Sequence, residues 1–152
     1  RQPMACIAAR NGLFTMDAGG VVFRADAAAP KGLPLVTGLE GQPLRLGARL
    51  DAEQARALRE CLAAAGREQR PLDRVSVDQN GNLCFNSAQL GYQVRLGPPE
   101  QLKEKFALLA ALERSLPDIR NNCQYIDVSC LEAPAWKPGK VAVASGGRTP
   151  AR

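Results

Sequence analysis

The side chains that carry most enzymatic chemistry are scarce in this 152-residue sequence. Histidine is absent, which removes the commonest general base and the imidazole ligand of most mixed and catalytic zinc sites. The five cysteines, Cys6, Cys61, Cys84, Cys123 and Cys130, include no CxxC pair and no evident base to activate a thiolate. Asp78-Gln79-Asn80-Gly81-Asn82 has the oxygen-rich look of a calcium loop but lacks the acidic ligand that closes one, and it reads as a hairpin turn. Asp17-Ala18-Gly19-Gly20 is no phosphate loop, because no Lys-Ser/Thr follows and its flanks look like strands. Glu100 and Glu104 share the wet face of a helix, where solvated carboxylates are the norm. These residues point to a binding module rather than an enzyme, with no cofactor and no metal expected.

Length and composition set the frame for such a module. The chain suits one domain with a self-sufficient core, and at 5% aromatics that core is built mainly from Leu, Val and Ala. No apolar run approaches the ~20 residues that span a bilayer, and no signal peptide is present. The start on Arg1 leads us to expect a piece of a longer protein whose targeting segment lies upstream. The net charge of +5 is spread out. Residues 1–49 hold six Lys/Arg against three Asp/Glu, residues 50–120 ten against ten, and residues 121–152 four against two. Without a basic cluster or interleaved aromatics, this is a mixed, solvated surface and not a nucleic-acid platform. The odd cysteine count argues against a disulfide framework, and buried free thiols are the expectation. A bond from Cys84 to a neighbouring strand stays open.

Periodicity supplies the elements. Gly12–Asp26 forms a hairpin around Asp17–Gly20, and Pro34-Leu35-Val36 makes a short strand within a Pro/Gly-rich connection. A helix starts at Asp51 (N-cap) with Gln54 at N3, a capping-box pattern, and stops near Gly66. Asp73–Asn86 is a second hairpin, whose Asn80-Gly81 is the dipeptide favoured in type I′ turns. Gly91–Leu96 completes a three-stranded meander with one wet face. A second helix begins near Pro98-Pro99, carries the stripe Leu102, Phe106, Leu109, Leu112 and Leu116, and ends at Pro117. Gln124–Cys130 and Lys140–Ala144 are the last two strands, joined by a Pro-rich loop, Leu131–Pro138, that holds the single tryptophan. The expected fold is α+β, a mostly antiparallel sheet with two amphipathic helices packed on one face.

In order along the chain, these pieces resemble the C-terminal β domain of the bacterial cell-division protein family FtsQ, called DivIB in other lineages. Arg1-Gln2-Pro3 is similar to the "REP" that closes the family's preceding POTRA domain, and Phe14–Phe23 to its "LVDxxGVVF" hairpin. Gly32–Gly38 is similar to "LPxLxG", and the meander to its "D-x-x-G … G-x-x-V-x-L-G" region. Tyr125–Ser129 resembles "YVDLR" and Gly139–Ser145 the closing "xGxAVxW" strand. Ser129 replaces a common arginine, Ser145 stands where an aromatic often follows, and Leu131–Pro138 makes a longer loop than the family pattern.

The resemblance implies an FtsQ-type β domain over residues 11–145. Residues 1–10 would be the end of a POTRA-like domain or a lead-in strand, and residues 146–152 a flexible tail. It implies a non-catalytic divisome scaffold, anchored in the inner membrane by an upstream helix, with this domain periplasmic. The implied partners are FtsB and FtsL, with FtsB adding a strand against the last strand. The matching partner-binding residues are Cys130, Trp136, Gly139, Lys140, Val141, Ala142, Val143, Ala144 and Ser145. Composition alone leaves open a protected edge, with Lys137, Lys140, Pro134 and Pro138 discouraging pairing. Trp136 is either an anchor for the partner or a lid over the hairpin. An unrelated extracytoplasmic α+β adaptor without a division role is the alternative reading.

Overall fold

A computed structural model describes residues 1–87, 89–116, 119 and 122–139. In chain order the described elements are β1 (Pro3–Ala9), β2 (Gly12–Asp17), β3 (Val22–Asp26), β4 (Leu35–Leu39), α1 (Ala52–Arg67), β5 (Arg74–Val77), β6 (Leu83–Asn86), β7 (Gln93–Gly97), α2 (Leu102–Ser115), β8 (Cys123–Asp127) and β9 (Ala135–Pro138). The strands form one sheet in the order β3-β2-β1-β4-β5-β6-β7-β8-β9.

The class is α+β as expected, but the sheet is mixed rather than mostly antiparallel. The pairs β1·β4, β4·β5 and β7·β8 are parallel. Each helix is the reason for one of these pairs: α1 carries the chain from β4 to β5, and α2 from β7 to β8. A chain that leaves one strand and returns through a helix enters the neighbouring strand in the same direction. Pro3–Ala9, the lead-in stretch, lies inside the sheet between β2 and β4.

Register explains the core. Ala25, Phe14, Ile7, Val36, Val75, Phe85, Val94, Ile126 and Trp136 are successive cross-strand partners from one edge to the other. The seven from Phe14 to Ile126 are buried. Both helices cover this face. Phe106 of α2 stacks on Phe85 with ring centroids 5.8 Å apart, and Leu58 and Cys61 of α1 are fully buried. Arg70, after α1, pairs with Glu113 of α2 at 2.7 Å, and the Tyr92 hydroxyl donates to the same carboxylate.

Several local expectations change. Asp51 caps α1 by accepting from the Glu53 and Gln54 amides, but the capping box is only half formed. The Gln54 side chain is buried, its Nε2 donates to Asp78 O at 3.2 Å, and its Oε1 accepts from no described residue. Helix α1 passes Gly66 and ends one residue later, with Gln69 taking the left-handed position at φ 53°. The turn after β5 is not type I′, because Gly81 is left-handed (φ 83°) and Asn80 is not. The Asp78 carboxylate accepts from the Asn80 and Asn82 amides and folds a three-residue loop instead. Asp17 does the same for Gly19 and Val21. Helix α2 starts at Leu102, beyond the prolines, with Gln101 at φ 55°; Pro117 lies outside the described residues. All five thiols are free, Cys84 included.

The C-terminal part departs most from expectation. Strand β8 ends at Asp127, not Cys130. The Asp127 carboxylate accepts from the Ser129 amide (2.9 Å) and hydroxyl (2.5 Å), and Ala133 N–H donates to Cys130 O to close a turn. The next strand, β9, then falls inside the stretch read as a long loop. The connection between β8 and β9 is therefore residues 128–134. The predicted last strand, Lys140–Ala144, lies outside the described residues, as does Ser145.

Candidate functional site: the open edge of the sheet

A sheet edge exposes unpaired amides and carbonyls, so each end of this sheet needs an account. At the β3 end the chain supplies its own cover. Val22 N–H donates to Ala48 O (2.8 Å), Gly47 N–H to Val22 O (2.8 Å) and Leu50 N–H to Gly20 O (2.9 Å). The edge beyond that cover carries Arg24 and Asp26, which pair at 2.9 Å and share Thr15 between them. Charges of this kind discourage further pairing.

At the β9 end no described residue plays that part. Strand β9 pairs antiparallel with β8, matching Tyr125 with Lys137, Ile126 with Trp136 and Asp127 with Ala135. Val128 N–H donates back to Arg95 O on β7, so Asp127 and Tyr125 direct their backbone groups toward β9. Gly139 N–H donates to Asn122 O at 2.9 Å, which fixes the same parity on β9. Residues 135, 137 and 139 face β8, and the N–H and C=O of Trp136 face outward.

The two prolines fit this parity. Pro134 and Pro138 fall on outward positions, where a missing N–H takes nothing from the ladder. They also make the edge donor-poor: from Pro134 to Pro138 its only outward N–H is that of Trp136. The Trp136 side chain is 42% exposed and ends the cross-sheet row that is buried up to Ile126. Such a half-exposed indole over an open edge is a suitable anchor for a partner.

Of the predicted site residues, the structure brings Trp136 and Gly139 to this edge. Gly139 takes φ 85° directly after β9. Cys130 is not on the neighbouring strand; it is exposed in the β8–β9 turn, its thiol 3.6 Å from Glu132 Oε1. Lys140, Val141, Ala142, Val143, Ala144 and Ser145 lie outside the described residues. Sequence reasoning missed Ala135, Lys137 and Pro138 as strand residues. The available signal was the spacing Pro134-x-Trp136-x-Pro138, two prolines of one parity around an aromatic, which suits an edge strand.

A cleft of about 190 Å³ lies elsewhere, between the α1–β5 connection, the β6–β7 connection and α2. Its Arg70 and Glu113 are engaged with each other, and Ser87 Oγ accepts from the Gln89 amide, so these polar groups hold the cleft walls together. Among the described residues no group of three metal-ligating side chains occurs.

Fold and edge together define an α+β domain with a mixed sheet, covered by its own chain at one end and by no described residue at the other. The chain belongs to the family of the C-terminal domain of the cell-division protein FtsQ/DivIB, whose family model matches residues 5–129. The matched stretch covers β1 to β8 and stops just before the turn into β9. A search of curated proteins finds no match. The family assignment supports a role in cell division over an unrelated adaptor.

Proposed function

We propose that this domain is a non-catalytic scaffold of the division machinery that captures FtsB, with its partner FtsL, by strand addition at the open edge of β9. One observation supports this reading above all. The Trp136 N–H and C=O point outward at an edge that no described residue covers, whereas the opposite edge is covered by residues 47–50. Main-chain hydrogen bonds to such an edge supply affinity, and pockets for alternate side chains supply selectivity. The proposed site comprises Trp136 and Gly139, the adjoining Cys130 turn, and Lys140–Ser145, which follow directly in sequence.

In this reading the parent protein is anchored in the inner membrane by an upstream helix and the domain works outside the cytoplasm. Among the described residues no helix is long and apolar enough to cross a membrane. The test is a binding titration with the periplasmic segment of the cognate FtsB, followed by calorimetry so that variants without the single tryptophan are read in the same way. Trp136→Pro removes the outward donor, and Trp136→Ala removes only the indole. The reading expects the proline variant to bind at least ~30-fold more weakly. Unchanged affinity in a folded proline variant refutes strand addition at this position.

A further inference from the structure

The two faces of β9 differ in chemistry, and the register extends that difference to whatever strand is added. On the helix-covered face, the row through Phe85, Val94 and Ile126 ends at Trp136. On the opposite face, the neighbouring row runs through Arg74, Asn86, Gln93, Tyr125 and Lys137. None of these five residues is acidic. Arg95, one rung along, leans into the row: its guanidinium carbon sits 3.7 Å from the centroid of the Tyr125 ring, and its Nε donates to Gln93 at 3.0 Å. Asp127, its cross-strand partner, accepts from the Ser129 amide and hydroxyl through Oδ1 and is the nearest carboxylate to it on this face, one rung from Lys137. The row therefore reaches the open edge with an arginine head stacked on Tyr125 and an exposed lysine beside it. Neither forms an ion pair with a described residue.

We propose that the strand accepted at β9 is alternating, with apolar side chains on the Trp136 face and carboxylates on the Lys137 face. This rests on the strand-addition reading above and specifies the chemistry of the incoming segment. The nearest residue of an added strand on the Lys137 face stands about 4.8 Å beyond β9, within reach of the lysine and about two strand spacings from the Tyr125 ring that carries the guanidinium. A cation there meets like charge, and a neutral residue leaves Lys137 without an ion-pair partner among the described residues. The nearest residue on the Trp136 face continues a row of core side chains and covers the indole. The same logic disfavours the chain's own C-terminal run as occupant, because residues 140–152 carry Lys140, Arg148 and Arg152 and no acid. A second copy offering that run is disfavoured for the same reason.

The test uses three blocked peptides of about nine residues, each alternating valine with a single polar type: glutamate, glutamine or lysine. Binding is followed by amide chemical shifts of the labelled domain at Trp136 and Lys137. The glutamate peptide is expected to bind roughly fivefold more tightly than the glutamine peptide and to lose that advantage in high salt. In Lys137→Glu the preference turns toward the lysine peptide, and in Arg95→Gln it shrinks; dispersed spectra confirm that both variants fold. Equal binding of all three peptides with Trp136 shifts retained overturns the charge rule while leaving strand addition standing. Absence of Trp136 shifts with every peptide overturns both. A glutamate preference that survives unchanged in Lys137→Glu also refutes the proposal.

Discussion

Trp136 stands directly across from Ile126 at the end of a side-chain row that crosses the whole sheet, and burial ends between these two residues. Ile126 is sealed beneath the helices, whereas its partner on β9 is two-fifths exposed. The hydrophobic row is thus one strand longer than its cover. An added strand with an apolar residue at this rung would bury the remaining indole surface, a contribution of roughly 1–2 kcal/mol from area alone.

With about three-fifths of Trp136 covered within the domain, Trp136→Ala should cost roughly 1–3 kcal/mol by urea denaturation while weakening partner binding. A loss above about 4 kcal/mol would instead show that the indole is a lid holding the terminal hairpin together.

Gly38 is required by a close approach. A Cβ there would lie 2.6 Å from Val77 O, and the residue sits at φ 95°. Gly38→Ala should destabilise the domain by roughly 2–4 kcal/mol. Gly32 has a similar φ of 86° but open space around it, so Gly32→Ala should cost only about 1–2 kcal/mol. Equal losses in the two variants would show that backbone conformation, not contact with β5, sets the requirement.

The thiols should separate by accessibility. Cys130 is exposed, Cys84 is half-buried, and Cys6, Cys61 and Cys123 are buried. Burial pushes the Cys61 thiol up to about 12 and raises those of Cys6, Cys84 and Cys123. A disulfide-exchange reagent near neutral pH should therefore label one thiol quickly in the native protein, with all five reacting after denaturation. Cys130→Ser should abolish the fast phase.

Both hairpin turns should weaken in acid. The Asp17 and Asp78 carboxylates accept backbone amides and are held below the ordinary aspartate value of 3.8, chiefly by the Val21 and Asn82 amides respectively. A carboxyl group depressed in the folded state adds stability above its unfolded value and loses it as pH falls through the folded one. Asp78→Ala should thus be less stable than the parent near neutral pH, and the gap should close as pH drops below 3.8. A gap independent of pH in chemical denaturation would contradict the role given to the ionised carboxylate.

The legible parts of the fold were those in which short-range pattern decides. Alternation marked Val75, Val77, Val94 and Leu96, helical spacing marked Leu58 and Phe106, and Asp17–Gly20 and Asn80-Gly81 marked the two hairpins. The parallel pairs were not legible, since β4 is five residues in a Pro/Gly-rich stretch and nothing local says which strand it will join. Strand β9 was hidden for a related reason. Two prolines in Pro134–Pro138 look like a loop until the parity of an edge strand is known. The valines at 141 and 143 drew attention to a later run, whereas the described edge lies five residues earlier, at Trp136. Lys105, three residues after Leu102 and four before Leu109, shares the apolar face of α2 and is buried with Nζ donating to Pro98 O at 3.0 Å; a stripe read from hydrophobic residues alone passes over it.

The central claim is that a partner strand pairs with the outward backbone of Trp136, and amide hydrogen exchange at that residue measures it directly. With the cognate FtsB periplasmic segment at saturation, exchange of the Trp136 amide should slow at least ~10-fold, while Lys137, already directed toward β8, changes little. If the segment binds and the Trp136 amide exchanges as fast as in the free domain, strand addition at β9 is wrong.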